Sequence, residues 1–150
     1  MKQIQHLPER TANTGTLLLL GWIPIEAAVH KRMLCTFRNI VANKNPVEYN
    51  IANRQLAIKN KDSKSWFIRI VVLADKYELP SPHELLVNPP CKYKWNKLVS
   101  KVVNFFWLDK LKTDAKEKST LKLLNIEDTI IRKTHNIWFS GGADPFAVKR

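Results

Sequence analysis

Only four glycines and two cysteines occur among the 150 residues of this chain. Glycine at that level leaves no G-x-G-x-x-G or G-x-x-x-x-G-K-[ST] stretch, so a phosphate-cradling loop of the nucleotide-binding type is excluded. Cys35 and Cys91 stand far apart, with no C-x-x-C and no histidine cluster beside them. Neither a disulfide framework nor a zinc site follows from such spacing, and a reducing intracellular compartment, cytoplasm or nucleus, is the natural setting. The four histidines, His6, His30, His83 and His135, are scattered. No paired carboxylates, nucleophile elbow or metal-binding histidine pair accompanies them, so the sequence points to no enzymatic activity and no cofactor. His30 follows Glu26 by four residues and reads as a surface ion pair on a helix. The apolar run "TLLLLGWIPI" is short, contains Pro24 and follows about fifteen mostly polar residues, which fits neither a secretory signal nor a membrane span.

Acidic residues are also in the minority. Twenty-five lysines and arginines face thirteen aspartates and glutamates, a formal charge of +12. Such an imbalance bears on partners and makes polyanions the first class to consider. The excess falls in Lys59, Lys61 and Lys64, in the stretch from Lys92 to Lys101, and from Lys110 to Lys122, so it belongs to folded surface and not to a basic tail. Hydrophobic residues make up 45% of the chain and five are tryptophans, enough apolar material for the core of one domain over 1–150.

The prolines, at 8, 24, 46, 80, 82, 89, 90 and 145, divide the sequence into helix-sized blocks. The first predicted helix spans Glu9 to Leu20, closed by Gly21. The next starts at Ile25, with Ile25, Ala28, Val29, Met33, Phe37, Ile40 and Val41 at helical spacing up to Asn45-Pro46. "VEYNIANRQLAIKN" lacks the alternation of a strand and reads as a third helix. Ser65 is placed to cap "WFIRIVVLADKYEL", where Trp66, Ile70, Leu73 and Tyr77 share a face beside Phe67, Val71 and Ala74. Its β-branched density admits a strand, but the helical pattern continues through "ADKYEL" and stops at a proline. "SPHELL" carries a capping serine, proline at the first helical position and Glu84 three residues after Ser81. Ser119 with "LKLL" predicts another short helix, and Gly141-Gly142 a loop. The expected fold is all-α, an irregular bundle of about six to seven helices.

The block "NPPCKYKWNKLVSKVV" concentrates the charge. After Pro89-Pro90, Trp95, Leu98, Val99, Val102, Val103 and Phe106 form a helical apolar stripe, and Lys94, Lys97 and Lys101 align on a neighbouring face. Solvated lysines around a buried stripe are the ordinary meaning of such a pattern. The functional meaning is a ridge that tracks phosphates without reading bases, with Lys92, Lys94, Lys97 and Lys101 as candidates and Lys110 and Lys112 farther along. Trp66, Trp95 and Trp107 are assigned to the core in preference to base stacking.

Asp144-Pro145 is a helix-start signal just before Arg150, and the folding unit is expected to be incomplete at both ends. Taken in order, "LPERTANTGTLLLLGWIPIEAAVHKRML", "NRQLAIKNKDSKSWFIRIVVLADKYELPSP", "PPCKYKWNKLVSKVVNFFW", "KSTLKLLN" and "DPFAVKR" resemble the region that follows the polymerase core in reverse transcriptases of animal non-LTR retrotransposons. The resemblance spans residues 6 to 150 and rests on the order of short motifs. It implies thumb-like and linker helices that contact the RNA or DNA backbone of a template-primer and adjoin the polymerase core of a parent protein. The polymerase aspartate motif and the downstream Cys/His cluster of that family are absent, so no catalytic role is implied. Two other readings stand beside it. One is a stand-alone basic helical interaction module with an apolar groove around Trp107 and Leu111, and the other a nonfunctional relic of a decayed element.

Overall fold

A computed structural model of the chain describes residues 12–43, 46–60, 62–121, 126–127 and 129–135. Among them the regular elements are six α-helices, α1 (Asn13–Leu20), α2 (Ile25–Asn43), α3 (Pro46–Ile58), α4 (Trp66–Lys76), α5 (Pro82–Val87) and α6 (Lys92–Glu117), with a 3-10 turn at Ser119–Leu121. The fold is all-α, as expected, with no strand among the described residues. The expected helix start at Glu9, the continuation of the helix after Ser119, the Gly141-Gly142 loop and the Asp144-Pro145 start lie outside the described residues.

Two compact units divide the chain, one formed by Ile25–Phe106 and the other by Met1–Pro24 together with Trp107–Arg150. In the Ile25–Phe106 unit, α2 is the hub and packs against α3, α4 and α5. Its buried positions, Ala27, His30, Leu34, Phe37 and Val41, alternate steps of three and four and so form one stripe. This corrects the face read from hydropathy. Ile25, Ala28 and Val29 point to solvent, and Ala27, His30 and Leu34 face inward instead. The helix carries apolar residues on more than one side, and on the inner side the hydroxyl of Tyr77, the C-cap residue of α4, lies 2.7 Å from His30 Nδ1. The hydroxyl gives the buried ring a partner, so His30 can sit inside without leaving that nitrogen unsatisfied.

The α4 helix keeps most of its expected faces, with Ile70, Leu73, Ala74 and the C-capping Tyr77 buried and Trp66, Phe67 and Val71 half-buried, while Ile68, placed on neither face, is buried as well. Phe67 meets Phe37 edge-on at 6.4 Å between ring centres. Ser65 stands in extended backbone at the N-cap position but makes no cap bond. Its hydroxyl bonds Gln55 Oε1 at 3.2 Å, tying α4 to α3 in place of the expected cap. The Ser81 cap of α5 does form, its hydroxyl accepting from the Glu84 amide at 3.2 Å. Among the described side chains of α3, Ala52 and Leu56 are the buried ones. Tyr49, half-buried, donates to Leu86 carbonyl oxygen at 3.3 Å.

In the other unit, Leu18 of α1 packs with Leu111 and Ala115 of α6 and with Leu121, and Leu17, Leu108 and Ile126 surround them. The sequence-predicted terminator works as expected. Gly21 adopts φ 63, and its amide reaches back to Leu17 and Leu18 carbonyls. Two further carbonyls at this helix end are met from far along the chain, Leu19 by His135 amide at 2.9 Å and the C-capping Gly21 by Arg132 amide at 2.7 Å. The last turn of a helix leaves four carbonyls without intrahelical partners, and here a distant turn supplies two.

Candidate nucleic-acid interface

Pro89 and Pro90 cannot continue α5, and α6 begins two residues after them. Within the Ile25–Phe106 unit its buried positions are Trp95, Val99 and Val103, four residues apart, a ridge of the kind that packs into a groove between helices. Trp95 is the anchor. Its indole is 2% exposed, and Nε1 donates to Leu34 carbonyl oxygen of α2 at 3.2 Å. Phe106 adds an edge-on contact with Tyr77 at 5.2 Å. The expected stripe is therefore narrower than its apolar composition: Leu98 is exposed and Val102 only half-buried.

That anchoring decides where the lysines point. Lys92, Lys94, Lys97 and Lys101 are all exposed, and none of the four makes an ion pair among the described residues. The reason is plain in the sequence, since no aspartate or glutamate occurs between Glu84 and Asp109. Lys94, Lys97 and Lys101, at steps of three and four, occupy one face, while Lys92 lies around the helix from them. Lys92 and Lys94 also stand in the first turn, which contains no acid. Cations there oppose the helix dipole at a cost of roughly 0.3–1 kcal/mol each, and they add to its positive end. Arg38 of α2 approaches the same end, Nε donating to Pro90 carbonyl oxygen at 2.8 Å.

Lys110 and Lys112 belong to the other unit and are differently placed. Lys110 Nζ lies 5.0 Å from the centre of the Trp107 ring. Lys112, half-buried, is 3.6 Å from Glu127 Oε2, and Lys116 is 3.7 Å from the other oxygen of that carboxylate. Lys112 and Lys116 are thus paired with a carboxylate where they stand, and Lys110 is seated on a ring. Trp107 and Leu111 are each 5% exposed, so the apolar groove expected around them is core instead.

Two exposed aromatics were not among the residues singled out in the sequence. Tyr93 and Phe105, each 73% exposed, sit among the α6 lysines. The four-residue steps from Tyr93 to Lys97 and from Lys101 to Phe105 align them with the lysines, but spacing alone does not tell an exposed aromatic from a core one. His30, expected as a surface pair with Glu26, is buried. Glu26 Oε1 is 3.7 Å from its Nε2, and burial foremost, with Lys76 next, lowers the ring's pKa against the raising effect of Glu26.

Among the described residues no group of three His, Cys, Asp or Glu could hold a metal ion, and no helix is long and apolar enough to cross a membrane. No family model, curated protein or solved structure matches the chain.

Proposed function

We propose that this chain is a non-catalytic helical segment of a reverse transcriptase of the non-LTR retrotransposon type, which holds nucleic acid by its phosphate backbone along the exposed face of α6. The observation that supports it is the acid-free stretch of α6 before Asp109, folded so that Lys94, Lys97 and Lys101 share a solvent face and make no ion pair among the described residues. Neutralising a lysine with a carboxylate is the cheap arrangement on a helix surface, and its omission over this length leaves three charges for an external polyanion. Lys92 and Arg38 strengthen the field at the helix start. Such contacts position a duplex and carry no base preference.

Affinity of the full chain for a short duplex, measured over a range of salt concentrations, tests this reading. Replacing Lys94, Lys97 and Lys101 by glutamate should weaken binding and make the slope of log K against log salt shallower by about 0.9 for each phosphate no longer neutralised. Lys110→Glu, at a lysine already seated on Trp107, should change the slope less. Equal affinity and slope in the triple variant would remove these residues from any contact with nucleic acid.

A further inference from the structure

The exposed side of α6 carries a row that the lysines alone do not explain. Tyr93, Lys97, Lys101 and Phe105 follow one another at four-residue steps, and all four are exposed. Residues four apart on a helix are surface neighbours, so the row is continuous: an aromatic at each end and two ammonium groups between. At 1.5 Å per residue it spans about 18 Å along the axis. Lys94 lies three residues before Lys97 and seven before Lys101, on the flank of the same row. No carboxylate interrupts it between Glu84 and Asp109.

Neither aromatic serves the core. Each is 73% exposed, whereas the neighbouring Trp95 and Phe106 take the inward positions and make the ring and indole contacts with Tyr77 and Leu34. Lysines suffice for a duplex, whose bases are stacked on one another and hide their faces. Unstacked bases are different, because each offers a π-face to an aromatic side chain while its phosphate remains free for an ammonium group.

We propose that this row is a platform for single-stranded nucleic acid, in which Tyr93 and Phe105 stack on bases and Lys97 and Lys101, flanked by Lys94, hold the intervening phosphates. The proposal rests on the backbone-binding reading and narrows it, from any phosphate backbone to an unpaired strand. Stacking and charge together give affinity without sequence preference, as every base has a face.

Fluorescence anisotropy with labelled oligo(dT) of about 12 nucleotides, compared with a blunt duplex of the same length, separates the two claims. Full-length protein should bind the single strand more tightly than the duplex. Tyr93→Ala combined with Phe105→Ala should lower single-strand affinity about tenfold or more and leave duplex affinity within about twofold. Lys97→Gln combined with Lys101→Gln should weaken both and lower the single-strand salt slope by about 1.4. Both pairs are surface substitutions, and unchanged circular dichroism confirms that each variant is folded. If the aromatic pair loses nothing on oligo(dT) while the lysine pair weakens both probes, the platform is refuted and the backbone reading survives. If wild-type protein binds neither probe, both are refuted.

Discussion

Replacing Gly21 by alanine tests the link between α1 and the turn at residues 129–135. Gly21 has φ 63, a conformation that costs an L-residue with a Cβ roughly 1–2 kcal/mol. Space is the larger obstacle. An added Cβ would lie 2.1 Å from Lys133 carbonyl oxygen and 2.7 Å from that of Ile130, and both are backbone atoms that cannot rotate aside. The turn must back away, which sacrifices the bonds from Arg132 amide to Gly21 and from His135 amide to Leu19. At about 1 kcal/mol each, these bring the loss to roughly 3–4 kcal/mol, a large share of the 5–15 kcal/mol typical of a domain. Gly15→Ala is the control. Its Cβ would press on Leu121 Cδ2 at 2.7 Å, the end of a flexible side chain, and the gain in helix propensity, about 1 kcal/mol, offsets that contact. Amide hydrogen exchange should show Arg132 and His135 losing protection in Gly21→Ala and keeping it in Gly15→Ala. Wild-type protection at those two amides in Gly21→Ala, with an unchanged melting temperature, would refute the reasoning.

Other expectations are as direct. Burial, and Lys76 after it, lowers the His30 pKa below its ordinary 6.5, so the unfolded chain binds this proton more readily than the fold does. Stability should therefore fall as pH drops below about 6.5, and melting curves of His30→Gln should show a shallower acid-side decline than wild type; parallel declines would exclude His30 as a source. Cys91 should alkylate faster than Cys35 near neutral pH. The amides of Tyr93 and Lys94 foremost, aided by Arg38, hold the Cys91 thiol below its ordinary pKa, while burial raises that of Cys35, and mass spectrometry of a time course reads the order. Glu78 is an exposed residue at φ 51 after α4. Glu78→Gly should stabilise the fold by about 0.5–1 kcal/mol in denaturant titration, and a loss would show that its side chain contributes more than its backbone costs.

What could be read from sequence was what depends on near neighbours. Most of the α4 face pattern, the Ser81 cap with Pro82 and the Gly21 terminator follow local rules, and each appears as expected. The α2 face was misjudged because a buried His30 needs a partner, and that partner, Tyr77, is 47 residues away. Ser65 followed the same logic, as Gln55 of another helix displaced the local cap. At the candidate interface, spacing alone placed Lys94, Lys97 and Lys101 on one face. It could not distinguish them from Lys112, because the difference is Glu127, brought back by the turn after α6. Tyr93 and Phe105 required knowing which aromatics the core would take, and that choice is settled only by packing against Leu34 and Tyr77.

The chain order of the two units carries a consequence for synthesis. Ile25–Phe106 is continuous in sequence, whereas its neighbour is assembled from Met1–Pro24 and Trp107–Arg150. Thr14 and its partner Lys118 are separated by 104 residues. At roughly 5–20 residues per second, a ribosome needs roughly 5–20 s to deliver the second after the first. For most of that interval "TLLLL" has none of Leu111, Ala115 or Leu121 to cover it. Leu17 and Leu18 are thus made well before the side chains that bury them, and once outside the ribosome they stand open to a chaperone until those side chains follow.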